Sequence, residues 1–230
     1  MDFGWIFASI IYNFAKTESM NIIMPEGHDI ISTKDESVPL FKSKFLDVFS
    51  RVYWFVPLVI FIPVIAYFIY ISLTEFAFTG PQVMMYFLGG LAIWTVVEYL
   101  FHRFIFHYEP KSKMGKHLHF MMHGVHHAYP NDSLRLVMPP ALSIPLSTGF
   151  YFAFYYAFGG LHAPLFAGFI FGYLCYDMLH YATHHAHFIK AGWFTSLKQH
   201  HMRHHFQDPD NGFGVSSAVW DRIFGTTYKK

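Results

Sequence analysis

The chain has 230 residues, 53% of them hydrophobic and 21% aromatic, with a formal net charge of +1. That length allows one domain or two small ones, and the near-neutral charge provides no basic field for nucleic acid. A single cysteine, Cys175, excludes an internal disulfide framework.

Residues 1–15 lack the basic leader and small-residue cleavage site of a signal peptide. Phe3, Ile6, Phe7, Ile10, Ile11 and Phe14 instead recur at helical spacing, which predicts a helix lying in the membrane interface. Residues 26–50 are mixed and polar and read as a cytoplasmic approach, so 1–50 forms an N-terminal segment and 51–230 the membrane-embedded domain. Residues 52–74 then run 23 positions without a charge, where a membrane helix needs about 20. Pro57 and Pro63 are tolerable there because membrane helices re-satisfy freed carbonyls locally.

A second apolar segment covers 83–101, broken only by Glu98. A third and fourth fall within 141–176, divided near Gly159-Gly160-Leu161-His162-Ala163-Pro164; a single re-entrant hairpin is the alternative for this pair. Segments 52–101 and 141–176 contain no Lys or Arg, and all 16 basic residues fall in 1–51, 102–140 and 177–230. With four spans those three regions share one face, which the positive-inside tendency makes cytoplasmic. The expected fold is an all-α membrane protein: four transmembrane helices in two hairpins, with a cytoplasmic helical cap.

Seventeen histidines are present, and most gather in that cap. They form His102-RFIF-His107, His123-GV-His126-His127, His180-YAT-His184-His185 and His201-MR-His204-His205. Adding 78 to the first half carries His102 to His180, His123 to His201, His126 to His204 and His127 to His205, an internal repeat. His180 and His184, at i and i+4, share a helix face. In each H-x-x-H-H the outer histidines are also four apart, while the adjacent pair diverges by about 100° and can reach two neighbouring metals. His102 and His107, five apart, point in divergent directions that suit two ions better than one. Repeat arithmetic pairs His107 with His185, whereas the shared face favours His184.

Ten histidines exceed the four ligands of a structural zinc. Two metals with about five nitrogens each fit the count, and imidazole suits Fe, Zn, Cu and Ni alike. Glu98, four before His102, and Asp177, three before His180, are candidates for carboxylates that accept the second ring N–H of a ligand. His119, four before His123, reads as a ligand or an outer partner. His28 and His162 stand alone as non-ligands, and His117, His187 and His200 read as surface residues.

The runs EYLFHRFIFH (98–107), HFMMHGVHHAYPNDSLRLVMPP (119–140), YDMLHYATHH (176–185) and HHFQDPDNGFGVSSAVWDRIFGT (204–226) resemble the fatty acid hydroxylase superfamily, most closely its sphingolipid-type 2-hydroxylases. The resemblance covers roughly residues 40–228. It carries the family's ten metal ligands onto His102, His107, His123, His126, His127, His180, His184, His201, His204 and His205, leaving Glu98, His119, Asp177 and His185 as outer-shell candidates. It implies a di-iron centre, replaceable by zinc in purified protein, with O2 as co-substrate and the C2 position of a long acyl chain, in ceramide or a related lipid, as the site of reaction. Animal and fungal members carry a fused cytochrome b5 domain marked by His-Pro-Gly-Gly. That motif does not occur here, so the chain resembles the shorter plant forms and needs a separate electron donor such as cytochrome b5. The expected home is the endoplasmic reticulum in a eukaryote or the inner membrane in a bacterium. Desaturases, sterol methyl oxidases and carotenoid hydroxylases are the nearest alternative activities. A metal transporter or scaffold is the non-enzymatic one, but transporters place their ligands near the bilayer midplane.

Overall fold

A computed structural model describes residues 30–228, so the interfacial helix expected at 1–15 and His28 lie outside the described residues. The described chain is helical. A short helix α1 (Lys44–Phe49) precedes α2 (Val56–Thr74) and α3 (Gly80–Phe101), which runs on into a π-helical turn, His102–Phe106. Next come α4 (Lys113–His119), a second π-turn (Phe120–Gly124) and α5 (Val125–Ala128). Then α6 (Pro140–Phe158), a 3₁₀ turn (Gly159–Leu161) and α7 (His162–His185) follow, and α8 (Gly192–Phe206) and α9 (Val219–Phe224) are the last described helices.

Among the described residues, three apolar helical stretches are long enough to cross a membrane: Val56–Thr74, Gly80–Phe106 and Pro140–His185. Their outward faces carry Val59, Ile62, Tyr67, Met84, Met85 and Leu88, all exposed, as lipid-facing surfaces are. The sequence reading expects four spans, and the difference lies in the third stretch. Gly159 (φ 53°) breaks its helix, and the chain folds back: the Phe154 ring packs on Phe166 and Phe169, and Tyr155 on His162. His162 sits in the bend, buried, with Nδ1 donating to the Gly159 carbonyl.

The core of the bundle is α7. Phe61 of α2, Trp94 of α3 and Phe154 of α6 all pack on its Phe166, Phe169, Ile170 and Tyr173. Where α3 crosses it, backbone meets backbone. A Cβ on Gly90 would lie 1.8 Å from the Leu165 carbonyl oxygen, and one on Gly168 would lie 1.8 Å from that of Phe87. Small residues at such crossings let membrane helices gain dispersion contact that lipid cannot replace. This tight α3–α7 pair delivers two histidine-bearing helix ends to the same place.

Residues 30–50, expected to be an approach segment, wrap the histidine-bearing loop. Ile31 and Ser32 N–H groups donate to the Ala128 carbonyl, and Leu40 is buried with Phe120 and Val125. Arg135, almost fully buried, lies between Asp132 (3.0 Å) and Asp47 (3.6 Å), locking α1 onto the loop.

Candidate metal centre

The ten histidines carried by the two halves gather into two sets of five. His102, His107, His123, His127 and His204 form the first, and His126, His180, His184, His201 and His205 the second. Within each set the potential ligand atoms lie within 4.8 Å of one another. The sets adjoin: the rings of His127 and His205 are 4.4 Å apart. Each H-x-x-H-H gives its outer members to its own half and its middle member to the other, so His126 and His204 exchange places. The sequence repeat is thus a spatial one.

The expectation for the first histidine pair is corrected. His102 and His107 do not diverge toward two ions; both belong to the first set. The reason is local. Residues 102–106 form a π-turn, closed by the His107 N–H to the His102 carbonyl at 3.2 Å. The wider turn brings positions i and i+5 to one face, as an α-helix does for i and i+4. The extra residue is also why 107 plus 78 overshoots His184 by one.

Three rings have their protonation fixed by carbonyls, which can only accept. Nδ1 of His102 donates to the Phe213 carbonyl (2.5 Å), that of His180 to Leu136 (3.1 Å), and that of His204 to Asn211 (2.8 Å). Their Nε2 atoms are therefore bare lone pairs, and each faces another imidazole nitrogen. His102 Nε2 is 3.2 Å from His123 Nε2, His204 Nε2 is 3.0 Å from His107 Nε2, and His180 Nε2 is 2.9 Å from His126 Nε2. His201 Nε2 lies 3.0 Å from His184 and 3.1 Å from His205. Such contacts are held either by an N–H of the facing ring or by a cation that both nitrogens ligate. Two nitrogens about 2.0–2.1 Å from one ion and at right angles are separated by about 2.9 Å, close to these spacings.

The electrostatics agree. His123, His126, His201 and His205 are held well below the usual imidazole range, by burial first and by neighbouring imidazoles second. Neutral imidazole is the ligand form. Buried Nδ1 atoms of His126, His184, His201 and His205 have no hydrogen-bond partner. The donor set, its neutrality and its spacing fit two metal ions.

The remaining site candidates fall around this cage. Glu98 is buried and its carboxylate accepts the Val215 and Ser216 N–H groups. Asp177 is buried beside Tyr173 in the wall of a cavity. His119 Nε2 donates to the Phe106 carbonyl at 2.5 Å. His185 stacks on Tyr181, outside both sets. His200, expected at the surface, is half-buried and bonded to Asp221 at 3.1 Å.

A cavity of about 440 Å³ opens against the cage. Leu40, Phe49, Met122, Val137, Met138 and Leu142 make its lining largely apolar, and it reaches His123 of the first set and His126 and His180 of the second. The contribution of Leu46 and Phe49 from α1 is not readable in the sequence, because six residues are too few to show a period.

Among the described residues, membrane-length apolar helices thus carry two adjoining five-histidine sets, able to hold metal ions, beside an apolar cavity. The sequence model of the fatty acid hydroxylase family matches residues 87–226. The dihydroceramide fatty acyl 2-hydroxylase FAH2 of Arabidopsis thaliana is 36% identical over 83% of this chain and 80% of its own length. The ceramide very long chain fatty acid hydroxylase SCS7 of Saccharomyces cerevisiae is 39% identical over 83% of this chain, which spans 49% of that protein. The solved structure of full-length Scs7p, in which only the hydroxylase domain is visible, matches with a TM-score of 0.76 at 35% identity, over 81% of this chain and 70% of that one. The chain belongs to the fatty acid hydroxylase family, and it is a hydroxylating enzyme.

Proposed function

We propose that this chain hydroxylates C2 of long-chain fatty acyl groups in ceramide or a related sphingolipid. The observation that carries the reading is an apolar cavity that touches both histidine sets. The names of the relatives, which are ceramide and fatty acid 2-hydroxylases, support the substrate class and the position.

The ten histidines are the ligands, five to each of two iron ions. Iron held there would supply O2 activation for hydroxylation, in which one oxygen atom enters the C2–H bond and the other leaves as water, with two electrons and two protons consumed. Everything else is the task of the chain. The carbonyls of Phe213, Leu136 and Asn211 hold three rings in the ligating tautomer. Val137, Met138 and Leu142 accept the acyl chain and exclude water. Residues 30–50 close the cavity on one side, and α1 exposes Phe45, Val48 and Phe49 beside Tyr53, Trp54 and Phe55, an aromatic belt at the level where lipid headgroups lie.

This placement supports four crossings, with α6 and α7 as the second hairpin and the cage on the cytoplasmic side. The chain then sits in the endoplasmic reticulum or a bacterial inner membrane. A lipid keeps its tail in the bilayer while its head-proximal carbons reach the cavity, and a separate cytoplasmic protein such as cytochrome b5 delivers the electrons. Expression with a cytochrome b5 system in cells lacking 2-hydroxylated lipids, beside a His126→Ala control, tests the reading by lipid mass spectrometry. The expected result is 2-hydroxy acyl ceramides absent from the control. New double bonds or oxidised sterols would assign a sibling activity. No new lipid from metal-replete protein with a working donor would overturn the proposal.

A further inference from the structure

The loop after the last histidine cluster is held in an unusual way. Four consecutive backbone N–H groups end on two buried carboxylates. Phe213 and Gly214 donate to Asp221 Oδ1 and Oδ2, both at 2.9 Å. Val215 and Ser216 donate to Glu98 Oε1 at 3.0 and 2.7 Å, and the Ser216 hydroxyl donates to Glu98 Oε2. Asp221 is 0% exposed and Glu98 5%. Asp221 also accepts from Thr226 Oγ1 (2.8 Å) and His200 Nε2 (3.1 Å).

The opposite side of the same loop faces the cage. The Phe213 carbonyl accepts from His102 Nδ1 and the Asn211 carbonyl from His204 Nδ1. The Phe213 ring packs against His102, His107 and His204, with centroids 5.3 to 5.9 Å apart. Every one of these histidines belongs to the first set. In the second set, His180 takes its carbonyl from Leu136, in a different segment.

Sequence detail supports the geometry. A Cβ on Gly214 would lie 2.1 Å from the Ser217 carbonyl and 2.8 Å from Asp221 Oδ2, so the loop closes this tightly only without a side chain there. Burying a carboxylate is costly unless its oxygens are fully bonded, and bonds to a charged acceptor are roughly twice as strong as neutral ones. Two acids spent on four successive N–H groups therefore fix this backbone more firmly than neutral acceptors would.

We propose that Asp221 and Glu98 are positioning residues for one metal site of the two. Together they set loop 211–216, whose carbonyls fix the tautomer and ring angle of His102 and His204. The claim rests on the reading of the two sets as metal sites. It differs from the sequence expectation for Glu98, since this acid acts through a backbone loop and not on a ring nitrogen, and Asp221 joins it.

The test is metal binding by the full chain purified in detergent, using Zn²⁺ for stoichiometry and Co²⁺ absorption for affinity. Wild type should bind two ions. Asp221→Asn and Glu98→Gln should keep one ion at wild-type affinity and hold the second about 10- to 100-fold more weakly. Ser216→Ala, which removes one bond and is gentle on the fold, should shift the same ion by less. Adding His204→Ala to Asp221→Asn should weaken that same ion further and leave the other at wild-type affinity, whereas adding His184→Ala should weaken the other ion as well. His162→Ala is the structural control, because this buried ring bonds the Gly159 carbonyl in the α6–α7 bend, away from the loop and from both sets. It should lower the melting temperature and retain two ions. Parallel weakening of both ions, or two ions at wild-type affinity in all three loop variants, would overturn the proposal. A wild-type chain binding fewer than two ions would overturn the two-site reading beneath it.

Discussion

His184 and His185 are neighbours in the chain but not in environment. The His184 ring points into the second set, with Nε2 3.0 Å from that of His201. His185 stacks on Tyr181 at 4.9 Å, half-buried and outside the cage. The repeat favours His185 and the helix face favours His184, so these two residues separate the arguments experimentally. His184→Ala should cut metal affinity by more than about tenfold and reduce turnover to background, because a ligand matters at least as much as its outer partners. His185→Ala should retain two ions and most of the activity; equal losses in both variants would count against the set assignment. His162 provides a contrast. Its ring donates to Gly159 and packs between Phe76 and Tyr155 in the α6–α7 bend. His162→Ala should lower thermal stability, by about 1 kcal/mol for the lost bond, and leave turnover per folded molecule within about twofold, as measured in detergent.

Among the elements, the histidine clusters and apolar helices are legible in the sequence because each has a period. The π-turns are not. Nothing in HRFIF announces that the helix after Phe101 widens, and reading it as α sends His107 away from His102. The one hint is arithmetic: the repeat carries His107 to 185 while the matching helix face holds His184. The short α1 and loop 211–216 are hidden for another reason, since their roles depend on contacts far along the chain, such as Glu98 with Ser216. Helix crossing is half legible. Glycines stand out in an apolar segment, but which of them meets a neighbouring backbone does not. Gly168 does and Gly149 does not: a Cβ at 168 strikes the Phe87 carbonyl, whereas one at 149 meets nothing within 4 Å. Gly168→Val should therefore separate α3 from α7, collapsing the monodisperse peak on size-exclusion chromatography and both metal sites with it. Gly149→Ala should elute as wild type and hold two ions. A folded, metal-replete Gly168→Val protein would mean that the crossing is not what brings the two helix ends together.

For the molecule as a whole, the cage is the junction of two similar halves. The first set draws on α3 and its π-turn, the loop through α5, and α8; the second draws on α5, α7 and α8. Because His126 and His204 cross over, neither set can be filled by one half alone. Metal binding is therefore bound up with docking of the halves, and ligation free energy becomes stability. Without ions, the rings of His123, His126 and His107 must carry their proton on Nε2 and donate to the bare Nε2 atoms of His102, His180 and His204, a tautomer that metal ligation reverses. Removing metal by chelation should lower the unfolding temperature in detergent. An ion present at a hundred times its dissociation constant contributes about 2.7 kcal/mol, which for a chain of this size corresponds to roughly 5–10 °C per ion. Adding back zinc should restore the melting temperature without turnover, and adding back iron with the electron donor should restore both. The two readouts separate the structural work of the cage from its chemistry. If chelation removed activity and left the melting temperature unchanged, the halves would be docked by the α3–α7 crossing alone, and the cage would be a passenger on a fold already complete.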